Sequence, residues 1–188
     1  MPYYFIFMIP ALILSLGSQI YVNSTYNKWS KVRNYHNLTG TDTAEQLISR
    51  LGMNDIRLTR TRGTLSDHYD PRNHTLALSQ GVADQPSVAA MAIAAHELGH
   101  AQQERDGYAP LRLRSALVPL VNIGSTFGWI MLLIGLILQV SGLAQLGVIL
   151  FSAGAIFSLV TLPVELNASK RAKQMLAENG LVVNEEEK

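Results

Sequence analysis

The sequence predicts an α-helical membrane protein with about three transmembrane helices and one small α+β domain. Charged residues make up 15% of the 188-residue chain, well below the usual quarter. Between positions 115 and 164 there is no Asp, Glu, Lys, Arg or His at all. The polar residues 23–114 carry most of the Lys and Arg and show both helical and alternating patterns. A chain of this length has room for about one such domain.

Three apolar runs are predicted to cross the membrane: residues 3–22, residues 116–138 and residues 143–164. The first run could instead be a cleaved signal peptide, but it lacks a basic start and the small residues of a cleavage site. We therefore predict an uncleaved anchor. The last two runs could form a buried hairpin of a soluble protein, but their length without a charge favours two spans.

The basic residues predict how the chain is oriented in the membrane. The start of the first run and the turn at Gln139 have none, and they are predicted to lie outside. The end of the first run, the start of the second and the end of the third are flanked by Lys28, Lys31, Arg33, Arg112, Arg114, Lys170, Arg171 and Lys173. The positive-inside rule then places residues 23–114 and 165–188 in the cytoplasm. We expect an integral protein of the plasma (inner) membrane.

The polar domain is predicted to contain a short helix, three strands and one long helix. Residues 43–51 form an amphipathic pattern that ends at Gly52. Residues 53–60, 64–69 and 75–79 have strand character, and residues 70–73 (DPRN) between the last two are typical of a turn. An alanine-rich run follows, for which Pro86 and Asp84 are candidate start signals.

That long helix carries the sequence His96-Glu97-Leu98-Gly99-His100, an H-E-x-x-H motif. Two histidines four residues apart project from one face of a helix and can reach a single zinc ion. Glu97 can then act as the catalytic general base that takes a proton from a zinc-activated water. The chain has no cysteine, so a zinc ion must be held by His, Glu or Asp. The alternative without a metal is a buried helix whose two histidines have only a structural role, and each histidine would then need a polar partner.

A catalytic zinc site usually has a third protein ligand. Glu165 is the first charge after the last apolar run, on the same predicted side of the membrane as the H-E-x-x-H helix. Ala168 and Ala172 give its segment a small face that could pack against that helix. Spacing alone leaves Asp106 as a second candidate, and His68 and His74 as third choices that could instead bind substrate.

Residues 75–79 could also bind substrate. A polypeptide can add to the free edge of a strand by main-chain hydrogen bonds, which would fix a scissile carbonyl beside the metal. Under this hypothesis Thr75, Leu76, Ala77 and Leu78 contact the substrate. A strand that merely packs against the helix is an equally good interpretation of the pattern.

Three motifs in this order resemble the bacterial YugP-type neutral zinc metallopeptidases: residues 67–72 (DHYDPR), residues 95–102 (AHELGHAQ) and residues 163–172 (PVELNASKRA). The chain is more distantly similar to the HtpX-like and CAAX-prenyl membrane endopeptidases. Those families follow H-E-x-x-H with E-x-x-A-D, whose glutamate is the third zinc ligand. The resemblance implies a zincin-like metalloprotease domain in which His96, His100 and Glu165 hold Zn²⁺.

The sequence departs from the pattern of these families in two ways. It has Ser169 where the distant relatives have aspartate, so a carboxylate that would orient a ligand histidine is absent or is supplied elsewhere. The chain also stops after residues 184–188 (NEEEK), where a new helix would be expected to begin. We therefore expect a shortened chain.

Together these observations predict a membrane-anchored zinc metalloendopeptidase that hydrolyses peptide bonds on the cytoplasmic side. Its partners would be a polypeptide substrate, including a membrane protein or its juxtamembrane segment, the lipid bilayer, and a membrane partner protein or a second copy of the chain. A net charge of +1 gives no reason to expect nucleic acid. The alternative is a catalytically weak zinc protein that binds a partner or regulates it.

Overall fold

A computed structural model of the protein describes residues 3–183, and it describes side chains from Ile9 onward. The chain forms two compact units. One comprises the chain up to Glu97 together with the segment that begins at Lys173, and the other comprises Leu98–Ala172. The elements, in chain order, are α1 (Tyr3–Trp29), α2 (Gly40–Leu51), β1 (Arg57–Thr61), β2 (His68–Asp70), β3 (Thr75–Ser79), α3 (Gln80–Ala83), α4 (Val88–Arg105), α5 (Ala109–Ile137) and α6 (Ser141–Glu178).

Helix α1 contains the predicted first span. Its described apolar side chains are exposed, with Ile13 at 64% and Leu14 at 72%. The side chains of residues 3–8 lie outside the described part, so a third spanning helix stays a prediction. The predicted helix start near residues 184–188 also lies outside the described residues.

Helix α2 begins three residues earlier than predicted because Thr39 caps it. The Asp42 amide donates to Thr39 Oγ1 at 3.1 Å, and the Thr39 amide donates to Asp42 Oδ2 at 2.9 Å. This reciprocal pair satisfies two backbone donors that the first turn would otherwise leave open. The helix ends, as predicted, at Gly52, which adopts φ 64.

The three predicted strands form one sheet in the order β1-β3-β2, although β1 and β2 each begin four residues later than predicted. β2 and β3 are antiparallel across the predicted turn, whereas β1 and β3 are parallel. β3 therefore lies in the centre of the sheet, and the prediction of a free edge at Thr75–Ser79 is wrong. Periodicity shows that a segment is a strand, but it does not show which neighbours pair with it.

Two aspartates of the 67–72 motif shape the hairpin. Asp67 accepts hydrogen bonds from the Ser79 amide at 2.6 Å and from Ser79 Oγ at 3.0 Å. Asp70 Oδ1 accepts from the Arg72 amide at 3.0 Å, which closes the turn. The motif thus fixes β2 against the end of β3.

Helix α4 starts differently from the prediction. Ser87 precedes it, and Ser87 Oγ accepts from the Ala90 amide at 3.1 Å, as an N-cap residue does. Asp84 does not cap the helix, because its two carboxylate oxygens pair with Arg60 at 2.6 and 2.8 Å. Pro86 precedes the capping serine and lies outside the helix.

The other unit contains α5 and most of α6. Both helices are long and apolar enough to cross a membrane by length and composition, and most of each apolar stretch is exposed. Small residues let them approach closely: a Cβ on Gly135 would lie 2.4 Å from the Ala144 nitrogen. Helix α6 continues without a break past Pro163 and carries Glu165. The predicted last span and the predicted cytoplasmic helix are thus parts of one helix.

Candidate metal centre

Helix α4 presents its two motif histidines on one face. The side of the helix that bears Ala94, Ala95 and Leu98 is fully buried, with each of these residues at 0% exposure. His96 and His100 are only partly exposed, and the His100 side chain is 11% exposed. The apolar side of the helix therefore anchors it, and the polar stripe is left available for chemistry.

Helix α6 brings Glu165 to His100. The distance from His100 Nε2 to Glu165 Oε2 is 3.4 Å. The helices can approach this closely because residue 99 is glycine: a Cβ there would lie 2.6 Å from the Ala168 carbonyl oxygen. The prediction that Ala168 offers a small packing face to the H-E-x-x-H helix is confirmed, and Ala168 is fully buried.

His96, His100 and Glu165 form a group that could hold a metal ion, with one donor atom from each within 4.8 Å of the others. Two atoms that are each about 2.1 Å from a tetrahedral zinc ion lie about 3.4 Å apart. The distance from His100 Nε2 to Glu165 Oε2 agrees with this value. Two imidazoles and one carboxylate are also a donor set found in catalytic zinc sites. The residues present therefore fit zinc.

Glu97 is held by the sheet. Its Oε2 accepts a hydrogen bond from the Tyr69 amide of β2 at 3.1 Å. The strand beside the motif glutamate is thus β2, and not β3 as the sequence suggested. Leu76, Ala77 and Leu78 are buried in the sheet, whereas Thr75 is half-buried.

The other ligand candidates lie in different contacts. Asp106 pairs with Arg171. His74 Nδ1 lies 3.1 Å from Asp55 Oδ2 and 3.3 Å from the Tyr69 hydroxyl oxygen. His68 Nδ1 lies 2.9 Å from the Ser66 carbonyl oxygen. Among the described residues, none of these three belongs to the metal-binding group.

Two residues near the site were missed by the sequence analysis. Arg114 Nη1 lies 3.2 Å from Glu165 Oε1, so the carboxylate faces a histidine with one oxygen and an arginine with the other. Gln103 Oε1 lies 3.1 Å from His100 Nδ1. The position of Gln103, three residues after His100 on a helix, was the signal that could have revealed it.

An apolar groove of about 540 Å³ lies along the first half of α4. Its lining includes Tyr26, Trp29, Leu65, Ala89, Ala92 and Ile93. The spacing of Ala89, Ala92 and His96 is three and four residues, so the floor of the groove and the first motif histidine share one helix face.

Tyr26, which lines the groove, has an altered acidity. Burial, and to a lesser degree the Asp67 charge, raise the pKa of Tyr26 above its ordinary value.

Comparison with known proteins matches residues 4–188 to the family described as "Putative neutral zinc metallopeptidase". The chain belongs to this zinc metallopeptidase family. It is also 43% identical over 184 residues to "Putative membrane protease YugP" of Bacillus subtilis (strain 168), a match that covers 97% of this chain and 82% of the relative. No solved structure matches significantly.

The resemblance predicted from the three motifs is therefore confirmed. Family membership agrees with the donor set of the metal-binding group, since both indicate zinc. Two apolar helices and the relative's name agree on an association with a membrane.

Proposed function

We propose that the protein is a membrane-anchored zinc metalloendopeptidase in which His96, His100 and Glu165 hold the metal. The observation that carries the proposal is the convergence of these three donors from α4 and α6, beside a glutamate that is held in place. Bound there, zinc would supply Lewis acidity that polarises a peptide carbonyl and makes a water nucleophilic at neutral pH.

In this proposal Glu97 moves the proton. It follows a ligand histidine directly in sequence, and one of its oxygens is fixed by the Tyr69 amide. The carboxylate takes a proton from the attacking water and later donates it to the nitrogen of the leaving amine. A hydrogen bond from a backbone amide orients the carboxylate without a flexible side chain as intermediary.

The substrate is proposed to be a polypeptide that lies along β2, with an apolar side chain in the groove. β2 is an outer strand of the sheet, and its Tyr69 amide reaches the proposed base. The groove lies on the α4 face that leads to His96 and has an almost wholly apolar lining. An extended chain could therefore be held by main-chain hydrogen bonds and by one buried apolar anchor.

We further propose that the site lies at the cytoplasmic face of the inner membrane. Arg114 lies near the start of α5, and Lys170 and Arg171 lie beyond the apolar part of α6. The turn at the other ends of these helices has no basic residue. The positive-inside rule favours the orientation in which the basic ends face the cytoplasm.

Cleavage of an unfolded protein by the detergent-purified chain and its Glu97→Gln variant tests the function. Both are supplied with zinc, and zinc content is measured in parallel. We expect the variant to retain zinc and to lose cleavage by at least 10²-fold, because the proton acceptor is gone. Equal cleavage by both proteins would contradict the assignment of Glu97 as the general base. Full zinc occupancy with no cleavage that depends on Glu97 would favour the alternative of a partner-binding zinc protein.

A further inference from the structure

The side chain of Gln103 is fully buried, at 0% exposure, one helical turn beyond His100 on α4. A buried amide that lacks hydrogen-bond partners costs about 1–3 kcal/mol, so its contacts define its orientation. Gln103 Nε2 lies 2.8 Å from the Val164 carbonyl oxygen and 3.0 Å from Asn167 Oδ1. Its Oε1 faces His100 Nδ1 at 3.1 Å.

His100, Gln103, Asn167 and Arg171 form a chain of hydrogen bonds, and Arg171 at its outer end fixes the direction of the others. Arg171 can only donate, and its Nε donates to Asn167 Oδ1 at 2.8 Å. Arg171 is itself held by the carboxylate of Asp106 and lies over the Tyr108 ring. The Asn167 atom that contacts Arg171 must therefore be its side-chain oxygen and not its nitrogen. The same oxygen faces Gln103 on α4.

The orientations of Gln103 and His100 follow from these acceptors. Because the Asn167 oxygen and the Val164 carbonyl both accept, Gln103 must turn its NH₂ group toward them. Its oxygen is then left for His100, so His100 Nδ1 must carry the hydrogen. A neutral imidazole protonated at Nδ1 has its lone pair on Nε2. Nε2 is the atom that lies 3.4 Å from Glu165 Oε2.

We propose that Gln103 is the positioning residue for His100: its oxygen holds the imidazole in the Nδ1–H form, with Nε2 directed at the metal. This inference rests on the proposed function only for the identity of the ligands. It also supplies a candidate for the orienting group that Ser169 cannot provide. Here the orienting group is the neutral side-chain amide of Gln103, and two hydrogen bonds from its NH₂ group to α6 hold it in place.

Three variants separate this role from simple packing. Gln103→Met keeps the length of the side chain but offers His100 only a weak sulfur acceptor and has no donor for α6. Gln103→Glu keeps an acceptor for His100 and loses both donors to α6. Gln102→Met is the matched control, because it makes the same change at the neighbouring, less buried position. The readouts are zinc affinity against a competing chelator and the tautomer of His100, measured by nitrogen NMR on histidine-labelled, metal-free protein in detergent.

We expect His100 of the wild type to carry a hydrogen on Nδ1. We expect Gln103→Met to lower zinc affinity 10- to 100-fold, as loss of such a partner typically does, and to mix the two tautomers. Gln103→Glu loses both donors to α6 and should weaken zinc binding too, but it should still keep a hydrogen on His100 Nδ1. Gln102→Met should match wild type in zinc affinity and in the protonation of Nδ1. Unaltered zinc affinity in Gln103→Met, or a Gln103→Glu variant that has lost the hydrogen on His100 Nδ1, would overturn the proposal.

The wild-type measurement stands even if a variant does not fold, since a His100 that lacks a hydrogen on Nδ1 in the metal-free protein would overturn the proposal directly. Neither readout requires peptidase activity. A protein that binds zinc in this manner and cleaves nothing would therefore contradict the proposed function and leave the role of Gln103 intact.

Discussion

At the scale of single residues, small and neutral side chains decide the geometry of the site. Gly99 lets α4 approach α6 until a Cβ would lie 2.6 Å from the Ala168 oxygen. Glu165 lies one turn before Ala168 on α6, so the same close approach brings Glu165 to His100. The packing requirement at residue 99 is thus also a requirement for assembly of the metal-binding group.

Gly99→Ala tests this coupling. The added methyl group would push against a backbone carbonyl that cannot swing aside, and overpacking of this kind costs about 1–3 kcal/mol. We expect a lower unfolding temperature in detergent and weaker zinc binding. Gly142→Ala is the control, because nothing lies within 4 Å of a Cβ at that position. Equal behaviour of the two variants would show that the contact at Gly99 is not limiting.

The ligand candidates of the site could be predicted from the sequence, but the residues that contact them could not. His96, Glu97, His100 and Glu165 were predicted because their chemistry and the family resemblance indicate zinc, and the structure brings the three ligand candidates together. Gln103 and Arg114 were not predicted as site residues because glutamine and arginine side chains have many roles outside active sites. Their contacts with His100 and Glu165 depend on how α4, α5 and α6 pack.

At the scale of elements, the sequence predicted the strands but not their order. The alternation of residues 75–79 marks a strand, whereas its central position depends on pairing with β1, which follows from long-range packing. The consequence is functional, since the strand beside Glu97 is β2. The 67–72 motif has a physical explanation in the structure, because Asp67 and Asp70 hold the hairpin that presents the Tyr69 amide.

The capping box of α2 makes a prediction about pH. Hydrogen bonds from the Thr39 side chain and backbone hold the pKa of Asp42 below its ordinary value. A carboxyl whose pKa is lower in the folded state stabilises the fold while it is ionised, and this contribution disappears as the pH falls through the folded-state pKa. Asp42→Asn should therefore be less stable than wild type near neutral pH, and the difference should shrink below about pH 4.

Urea unfolding of wild type and Asp42→Asn at several pH values measures this effect. Glu45→Gln provides a comparison on the same helix, outside the capping box. A difference between wild type and Asp42→Asn that does not change with pH would contradict the assignment to the ionised carboxylate.

At the scale of the whole molecule, one unit contains the sheet, and the other contains a long helical hairpin whose apolar surface is exposed. Exposed residues such as Ile137, at 77%, and Leu159, at 72%, would be unfavourable in water over so large an area. A lipid environment explains this surface. The length and lack of charge of α5 and α6 made both helices predictable from the sequence.

The absence of cysteine from the chain makes its orientation measurable with single-cysteine variants. Gln139→Cys lies at the turn between α5 and α6, and Ser66→Cys lies next to the 67–72 motif. We expect a membrane-impermeant thiol reagent to label the first variant in intact cells, and the second only after the membrane is opened. The reverse pattern would place the proposed active site outside the cytoplasm.

The central claim is that His96, His100 and Glu165 together hold zinc, and X-ray absorption at the zinc edge tests it most directly. Purified wild type should bind about one zinc per chain, with two imidazoles and a carboxylate as nearest neighbours. Glu165→Gln should lose most of the zinc or change this set of neighbours, whereas Glu178→Gln, an exposed substitution on the same helix, should match wild type. An unchanged zinc environment in Glu165→Gln would contradict the account.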